Sequence, residues 1–160
     1  MEVLAKDFDF IVFKTFNPGE TETIGMRLGR QFLGGEVVSL RGELGSGKTC
    51  FTRGIARGLG INHQIPVVSP SFTLINEYPG KIPLFHFDFY RIDEVEKIFD
   101  LGYEEYFYGK GVTVIEWGEK IAKFLPSEYM EVFFTILEDE IREIKIKAQG
   151  KQFIEMLKDL

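Results

Sequence analysis

Apolar and polar positions alternate in different ways along this chain, and each way predicts an element. Phe8 to Phe16 is apolar and β-rich, which predicts a first strand. Asn17-Pro18-Gly19 reads as a turn. From Glu20 to Phe32 the spacing is helical, with Ile24, Leu28 and Phe32 on one stripe. Glu36 to Arg41 (EVVSLR) has the pattern of a buried strand. Lys48 to Leu59 is again helical: Phe51, Ile55 and Leu59 face the core, while Arg53 and Arg57 share another face. A glycine inside a helix costs up to about 1 kcal/mol against alanine, so Gly54 predicts close packing at that point.

Val67 to Tyr78 (VVSPSFTLINEY) reads as extended, with Pro70 interrupting regular pairing. Ile82 to Asp88 is an apolar strand that ends in a carboxylate. Asp93 to Tyr106 is predicted as an amphipathic helix. Gly111 to Glu116 is a second buried strand ending in a carboxylate. A short helix over Gly118 to Leu125 stops before Pro126. Met130 to Leu137 and Ile141 to Ala148 alternate around Glu138-Asp139-Glu140, the pattern of a hairpin, and Lys151 to Leu160 closes the chain as a helix. Strands separated by helices predict an α/β sandwich with a parallel centre. The first strand and the late hairpin extend its sheet in antiparallel fashion. With no internal repeat and no low-complexity linker, residues 1–160 read as a single domain.

Composition changes this picture little. Hydrophobic residues make up 44% of the chain and sixteen are Phe, enough for a bulky core. No apolar run approaches the ~20 residues of a bilayer span, so no membrane partner is expected. The opening MEVLAKDFDFIVF lacks the layout of a signal peptide, and the single cysteine rules out an internal disulfide; both lead to a cytoplasmic expectation. A net charge of −6 argues against unaided binding of nucleic acid. The acidic excess lies in residues 81–160, as either a docking face or a well-solvated surface.

The candidate chemistry centres on Gly42 to Thr49. GELGSGKT matches the phosphate-binding pattern G-x-x-x-x-G-K-[ST], placed between a predicted strand and a predicted helix, where it needs to be. The glycines permit backbone angles that a side chain would forbid. The amides of Gly45, Ser46, Gly47, Lys48 and Thr49 can then point inward at the positive end of a helix dipole. Lys48 supplies a charge for the outer phosphates and the Thr49 hydroxyl a ligand for Mg²⁺. The amide of Cys50 is in reach of the α-phosphate, while its thiol reads as packed. The expected fold is therefore a three-layer sandwich of the P-loop NTPase type.

Ligands of open parallel sheets sit at the carboxyl ends of the strands. A shared direction would bring Asp88 and Glu116 to that edge, one holding Mg²⁺ and the other orienting water or sensing the γ-phosphate. Either alone could be a helix cap. Ser69, Ser71 and Thr73 suit a switch that reads the γ-phosphate, or an ordinary Ser/Pro loop. Trp117 reads as core by composition and as a nucleotide-site residue by its adjacency to Glu116. His86, between Phe85 and Phe87, reads as a packing histidine, and His63 suggests nothing. A GTPase would need Asp-x-x-Gly after the second strand and Asn-Lys-x-Asp for guanine, and neither is present. An independent small-molecule kinase and a nucleotide-gated adaptor both stay open.

The ordered set of motifs resembles the TsaE family, the small P-loop ATPases of bacterial tRNA threonylcarbamoyladenosine biosynthesis. Glu20-Thr21 with Ile24-Gly25 looks like that family's first-helix signature, and Gly42 to Gly60 its P-loop and helix. Ser69 to Tyr78 looks like its switch, and HFDFYR (His86 to Arg91) and IEWGE (Ile115 to Glu119) its carboxylate motifs. The resemblance implies an ATPase slow by itself, working with TsaB and TsaD, touching tRNA only through that complex and resetting it by hydrolysis. It implies ATP or ADP with Mg²⁺ as cofactors, Glu116 as the Mg²⁺ partner beside Thr49, and Asp88 as a catalytic carboxylate. It also implies Trp117, Thr21 and Arg142 as nucleotide contacts. Cys50 and Ser71 depart mildly, standing where the family more often has a hydroxyl residue and Thr.

Overall fold

In the computed structural model, which describes residues 1–160, eight strands form one mixed sheet. The strands are β1 (Glu2–Lys6), β2 (Phe10–Thr15), β3 (Val37–Arg41), β4 (Ile75–Tyr78), β5 (Leu84–Asp88), β6 (Val112–Glu116), β7 (Tyr129–Glu138) and β8 (Ile141–Gln149). Their spatial order is β1-β2-β8-β7-β3-β6-β5-β4. The four central strands β7, β3, β6 and β5 run parallel. Antiparallel pairs extend the sheet on both sides, β7–β8, β8–β2 and β2–β1 on one and β5–β4 on the other. The expected parallel centre with antiparallel first strand and hairpin is the architecture found.

Alternation along each central strand splits the core into two layers. Val38, Leu40, Leu84, Val112 and Val114 face the layer that holds helices α1 (Pro18–Gly29), α2 (Lys48–Gly58) and α4 (Lys151–Lys158). Val37, Phe87 and Ile115 face the opposite layer, built from 3₁₀ turns over Val95–Leu101 and Gly118–Phe124 and the short helix α3 (Tyr103–Phe107). Both layers are apolar where they meet the sheet, which is why the middle strands read as continuous hydrophobic runs.

Local chemistry sets several element ends. Asn17-Pro18-Gly19 is the start of α1 rather than a separate turn. The Asn17 side chain accepts from the Glu20 amide at 3.0 Å, and Pro18 occupies a position where a missing N–H costs nothing. Glu36 does not join β3; its buried carboxylate accepts from the amides of Leu33 and Gly34 at 2.9 and 2.8 Å and turns the chain into the strand. The single helix expected over Asp93 to Tyr106 is broken in two, because Gly102 adopts φ 65° and stops the first segment. Extended structure over Val67 to Tyr78 is confined to β4, since 70–74 forms a turn closed by the Leu74 amide on the Pro70 carbonyl. Strand β1 escapes the pattern reading because all five residues are exposed and no face is selected.

Helix α1 crosses α2 at backbone contact. A Cβ on Gly54 would overlap the Glu22 carbonyl oxygen, and one on Gly25 would overlap that of Phe51. The predicted close packing at Gly54 is therefore real, and both helices contribute glycine to it. The Arg53 guanidinium lies 3.5 Å from the Glu22 carboxylate, and Arg57 pairs with the same group. Gly54→Ala should lose about 2 kcal/mol of stability to overpacking, against the gain of up to about 1 kcal/mol that helix propensity alone would predict. Urea unfolding measures the sign directly, and an unchanged or higher midpoint would contradict the contact.

Candidate functional site

Strand β3 delivers the chain into residues 42–47, where Gly42, Gly45 and Gly47 all have positive φ. Gly42 requires its glycine twice over: a Cβ there would meet Ser46 Oγ at 2.5 Å and the Phe134 carbonyl oxygen at 2.9 Å. Gly47 is the N-cap of α2 and offers no side chain to the first-turn amides. Those amides and the helix dipole form a positive concavity built for an anion.

Lys48 is buried beneath this loop. Its ammonium donates to the Gly42 carbonyl at 2.6 Å and the Glu43 carbonyl at 2.9 Å, with Ser46 Oγ at 3.4 Å. The Trp117 ring covers it at 4.3 Å. Burial holds the Lys48 pKa below its ordinary value even though Glu116, Glu119 and Asp88 pull it upward. A phosphate placed at the loop would add the negative charge this ammonium lacks.

The parallel register of β5 and β6 sets Asp88 directly beside Glu116, as the strand-end reading required. Glu116 divides its oxygens. Oε1 accepts the Thr49 hydroxyl at 2.8 Å, and Oε2 lies 3.1 Å from His86 Nε2. Burial works to raise the Glu116 pKa, but His86, Thr49 and the Lys48 charge together hold it below the usual carboxylate range. Asp88 accepts the Tyr90 amide at 2.8 Å on one oxygen and the Ser69 hydroxyl on the other. A cleft of about 270 Å³ opens between the loop, Ser69, Asp88, Glu116 and Trp117.

Of the three hydroxyls read as a switch, only Ser69 is brought to the site. Ser71 and Thr73 lie on the 70–74 turn without a hydrogen bond to Asp88 or Glu116. That turn is still tied to the site, because the Asp88 amide donates to the Leu74 carbonyl at 3.0 Å, with Leu74 at φ 67°. Trp117 is left-handed too, at φ 61°, and its ring stacks on Tyr90 at 5.1 Å.

A second cleft of about 200 Å³ adjoins the first across Gly45, Gly47 and Cys50 and is walled by Pro18, Thr21 and Arg142. The Thr21 hydroxyl lies 3.1 Å from that of Thr15. Arg142 ties the hairpin turn to the loop, donating to the carbonyls of Glu138, Asp139 and Ile141 and to Gly45 at 3.3 Å. The Cys50 thiol donates to the Pro18 carbonyl at 3.2 Å and burial pushes its pKa up, which makes it a packed thiol.

The donors that face the first cleft are oxygens: the Thr49 hydroxyl and the Glu116 and Asp88 carboxylates. This set fits Mg²⁺, which takes one or two protein oxygens and completes its shell with phosphate and water. No cluster of three or more His, Cys, Asp or Glu stands ready to hold a metal by itself. His86 and Tyr90 are the residues that the pattern reading missed. The signal for His86 was its place two residues before Asp88, hence on the same face of β5.

Known proteins reproduce both the sequence and the fold. The family model described as threonylcarbamoyl adenosine biosynthesis protein TsaE matches residues 15–144. A protein of Treponema pallidum named tRNA threonylcarbamoyladenosine biosynthesis protein TsaE is 45% identical, covering 79% of this chain and 93% of its own. A protein of the same name from Bacillus subtilis is 42% identical over 91% of this chain and 89% of its own. The crystal structure of Bacillus subtilis YdiB superposes with a TM-score of 0.81 at 36% identity, over 99% of this chain and 95% of that one. No helix of this chain is long and apolar enough to cross a membrane. On a family match across most of its length, and on relatives this similar, the chain belongs to the TsaE family.

Proposed function

We propose that this protein is the ATP-binding and ATP-hydrolysing subunit of the complex that makes threonylcarbamoyladenosine at position 37 of tRNA. Its hydrolysis resets that complex between cycles. The family's name and those of the relatives support the pathway. The observation that carries the nucleotide reading is the juxtaposition of Lys48 and Thr49, at the start of α2, with Glu116 and Asp88 on neighbouring strand ends.

In this reading the phosphates lie along the amides of Gly45 to Cys50, and the base lies in the adjoining cleft beside Thr21 and Arg142. The Lys48 ammonium leaves the Gly42 and Glu43 carbonyls for the outer phosphates. The Thr49 hydroxyl and Glu116 Oε1, which hold each other at 2.8 Å, turn to the metal instead. Mg²⁺, when bound, neutralises phosphate charge. Asp88 orients the attacking water once Ser69 releases one of its oxygens. Trp117 walls the cleft, with Tyr90 packed against its ring, and limits water there. Catalysis of phosphoryl transfer is mainly positioning and charge stabilisation, so this division of labour needs no covalent step on the protein.

The net charge of −6 argues against the protein holding tRNA unaided. TsaB and TsaD are the partners proposed, with tRNA reached only through them. A kinase would need an acceptor site, and both clefts at the P-loop are already assigned to one nucleotide.

Lys48→Ala should weaken ATP binding at least about tenfold and abolish hydrolysis in a folded protein, since it removes an outer-phosphate charge at the site of transfer. Calorimetry that finds parental ATP affinity in this variant would remove the phosphate assignment. Glu116→Ala should chiefly lose the Mg²⁺ dependence of binding, whereas Asp88→Ala should lower turnover about a hundredfold with less effect on affinity. If both variants hydrolyse ATP at the parental rate within the complex, the carboxylates are structural caps. Adding TsaB and TsaD should raise the ATPase rate at least about tenfold, and their affinity should differ between the ATP and ADP states. An unaltered rate, with full multi-cycle tRNA modification in the protein's absence, would leave no role for hydrolysis.

A further inference from the structure

His86 was read from the sequence as a packing histidine, and its surroundings assign it more. It sits on β5 opposite Val114, one row beneath the Asp88–Glu116 pair. Strand alternation turns His86, Asp88 and Glu116 to the same face, toward α2. The imidazole is fully buried and its one polar partner is Glu116 Oε2, at 3.1 Å. Its Nδ1 has no partner.

A buried polar ring with one nitrogen unpaired is a poor choice for filling space on the face His86 shares with Leu84 and Val114, where an apolar side chain would cost nothing in lost hydrogen bonds. In a neutral ring the pairing also favours one tautomer. With the proton on Nε2, the ring donates to the carboxylate and leaves only an unfilled acceptor at Nδ1. With the proton on Nδ1, a buried donor would be orphaned and the Nε2 lone pair would oppose Oε2.

We infer that His86 is a positioning residue for Glu116: its Nε2–H pins Oε2, so that Oε1 alone is presented to Thr49 and to the metal beside it. This rests on the nucleotide reading above. A glutamate has three side-chain torsions, and a carboxylate free to rotate would lose part of its metal affinity to ordering. Outer-shell partners that fix a ligating group are worth about 10–100-fold in metal affinity.

The test compares the parent, His86→Phe and His86→Gln. Phe keeps the ring volume and removes the donor, while Gln places an amide N–H near the position of Nε2. ATP binding is followed by calorimetry across a Mg²⁺ titration, with thermal unfolding as a check on the fold. In His86→Phe the Mg²⁺ midpoint should rise about tenfold or more, ATP binding without Mg²⁺ should stay within about twofold of the parent, and His86→Gln should recover most of the shift. A His86→Phe midpoint within about twofold of the parent would overturn the inference. So would an equal loss of Mg²⁺-free binding, which marks a scaffold role. If the Phe variant does not fold, His86→Gln and the parent decide. Nitrogen NMR of the parent should show Nε2 protonated, and a bare Nε2, or a tenfold midpoint shift in the Gln variant, overturns the proposal. A parent whose ATP binding ignores Mg²⁺ would instead overturn the nucleotide reading itself, which separates the two failures.

Discussion

The parallel pairing of β5 with β6 is the constraint on which the site depends. It places Asp88 level with Glu116 and His86 one row below, all on the face toward α2. A slip of β5 by one residue would send His86 and Asp88 to the opposite layer and leave Glu116 facing α2 without them. The apolar runs on both strands prevent that slip, because Leu84, Val112 and Val114 must meet the helices on one side and Phe87 and Ile115 the aromatic layer on the other. Core packing and the placement of the two carboxylates are thus set by the same register.

The second fixed point is the start of α2. Helix α2 cannot slide along its axis without breaking backbone contact with α1, where glycines on both helices allow carbonyl oxygens to approach. Thr49 and Lys48 therefore stand at a defined height above the strand ends, and the Thr49–Glu116 hydrogen bond spans the gap between the two frames. Rigid elements thus hold the glycine loop and the first turn of α2 in place.

The other wall is built differently. Ser69 holds Asp88, the Leu74 carbonyl receives the Asp88 amide, and Trp117 follows Glu116; Leu74 and Trp117 are the two non-glycine residues with positive φ. Each such conformation costs about 1–3 kcal/mol and persists only where its surroundings hold it. Both flank the carboxylates, and the 70–74 turn leaves Phe72 exposed. The molecule therefore combines a stiff glycine loop with a strained rim beside it at Asp88.

Much of this was legible in the residues alone. The glycine loop, the strand ends at Asp88 and Glu116, the apolar stripes of α1 and α2, the hairpin and the tight spot at Gly54 are local patterns, and periodicity with backbone chemistry reports them directly. What tertiary structure decided are the matters that depend on neighbours distant in sequence. The helix start at Asn17-Pro18-Gly19 and the break at Gly102 are not among them; both are local signals, an Asn cap before proline and a left-handed glycine, that the periodicity reading passed over. Strand β1 formed with no apolar face to announce it, held at the sheet edge by pairing with β2. Ser69 reached Asp88 while Ser71 and Thr73 did not, and His86 acquired Glu116 as its partner across two strands. Composition and spacing carry which face a side chain takes, but not which group from another strand or loop will stand opposite it. That is settled only when long-range packing fixes register and brings the partners within hydrogen-bond reach.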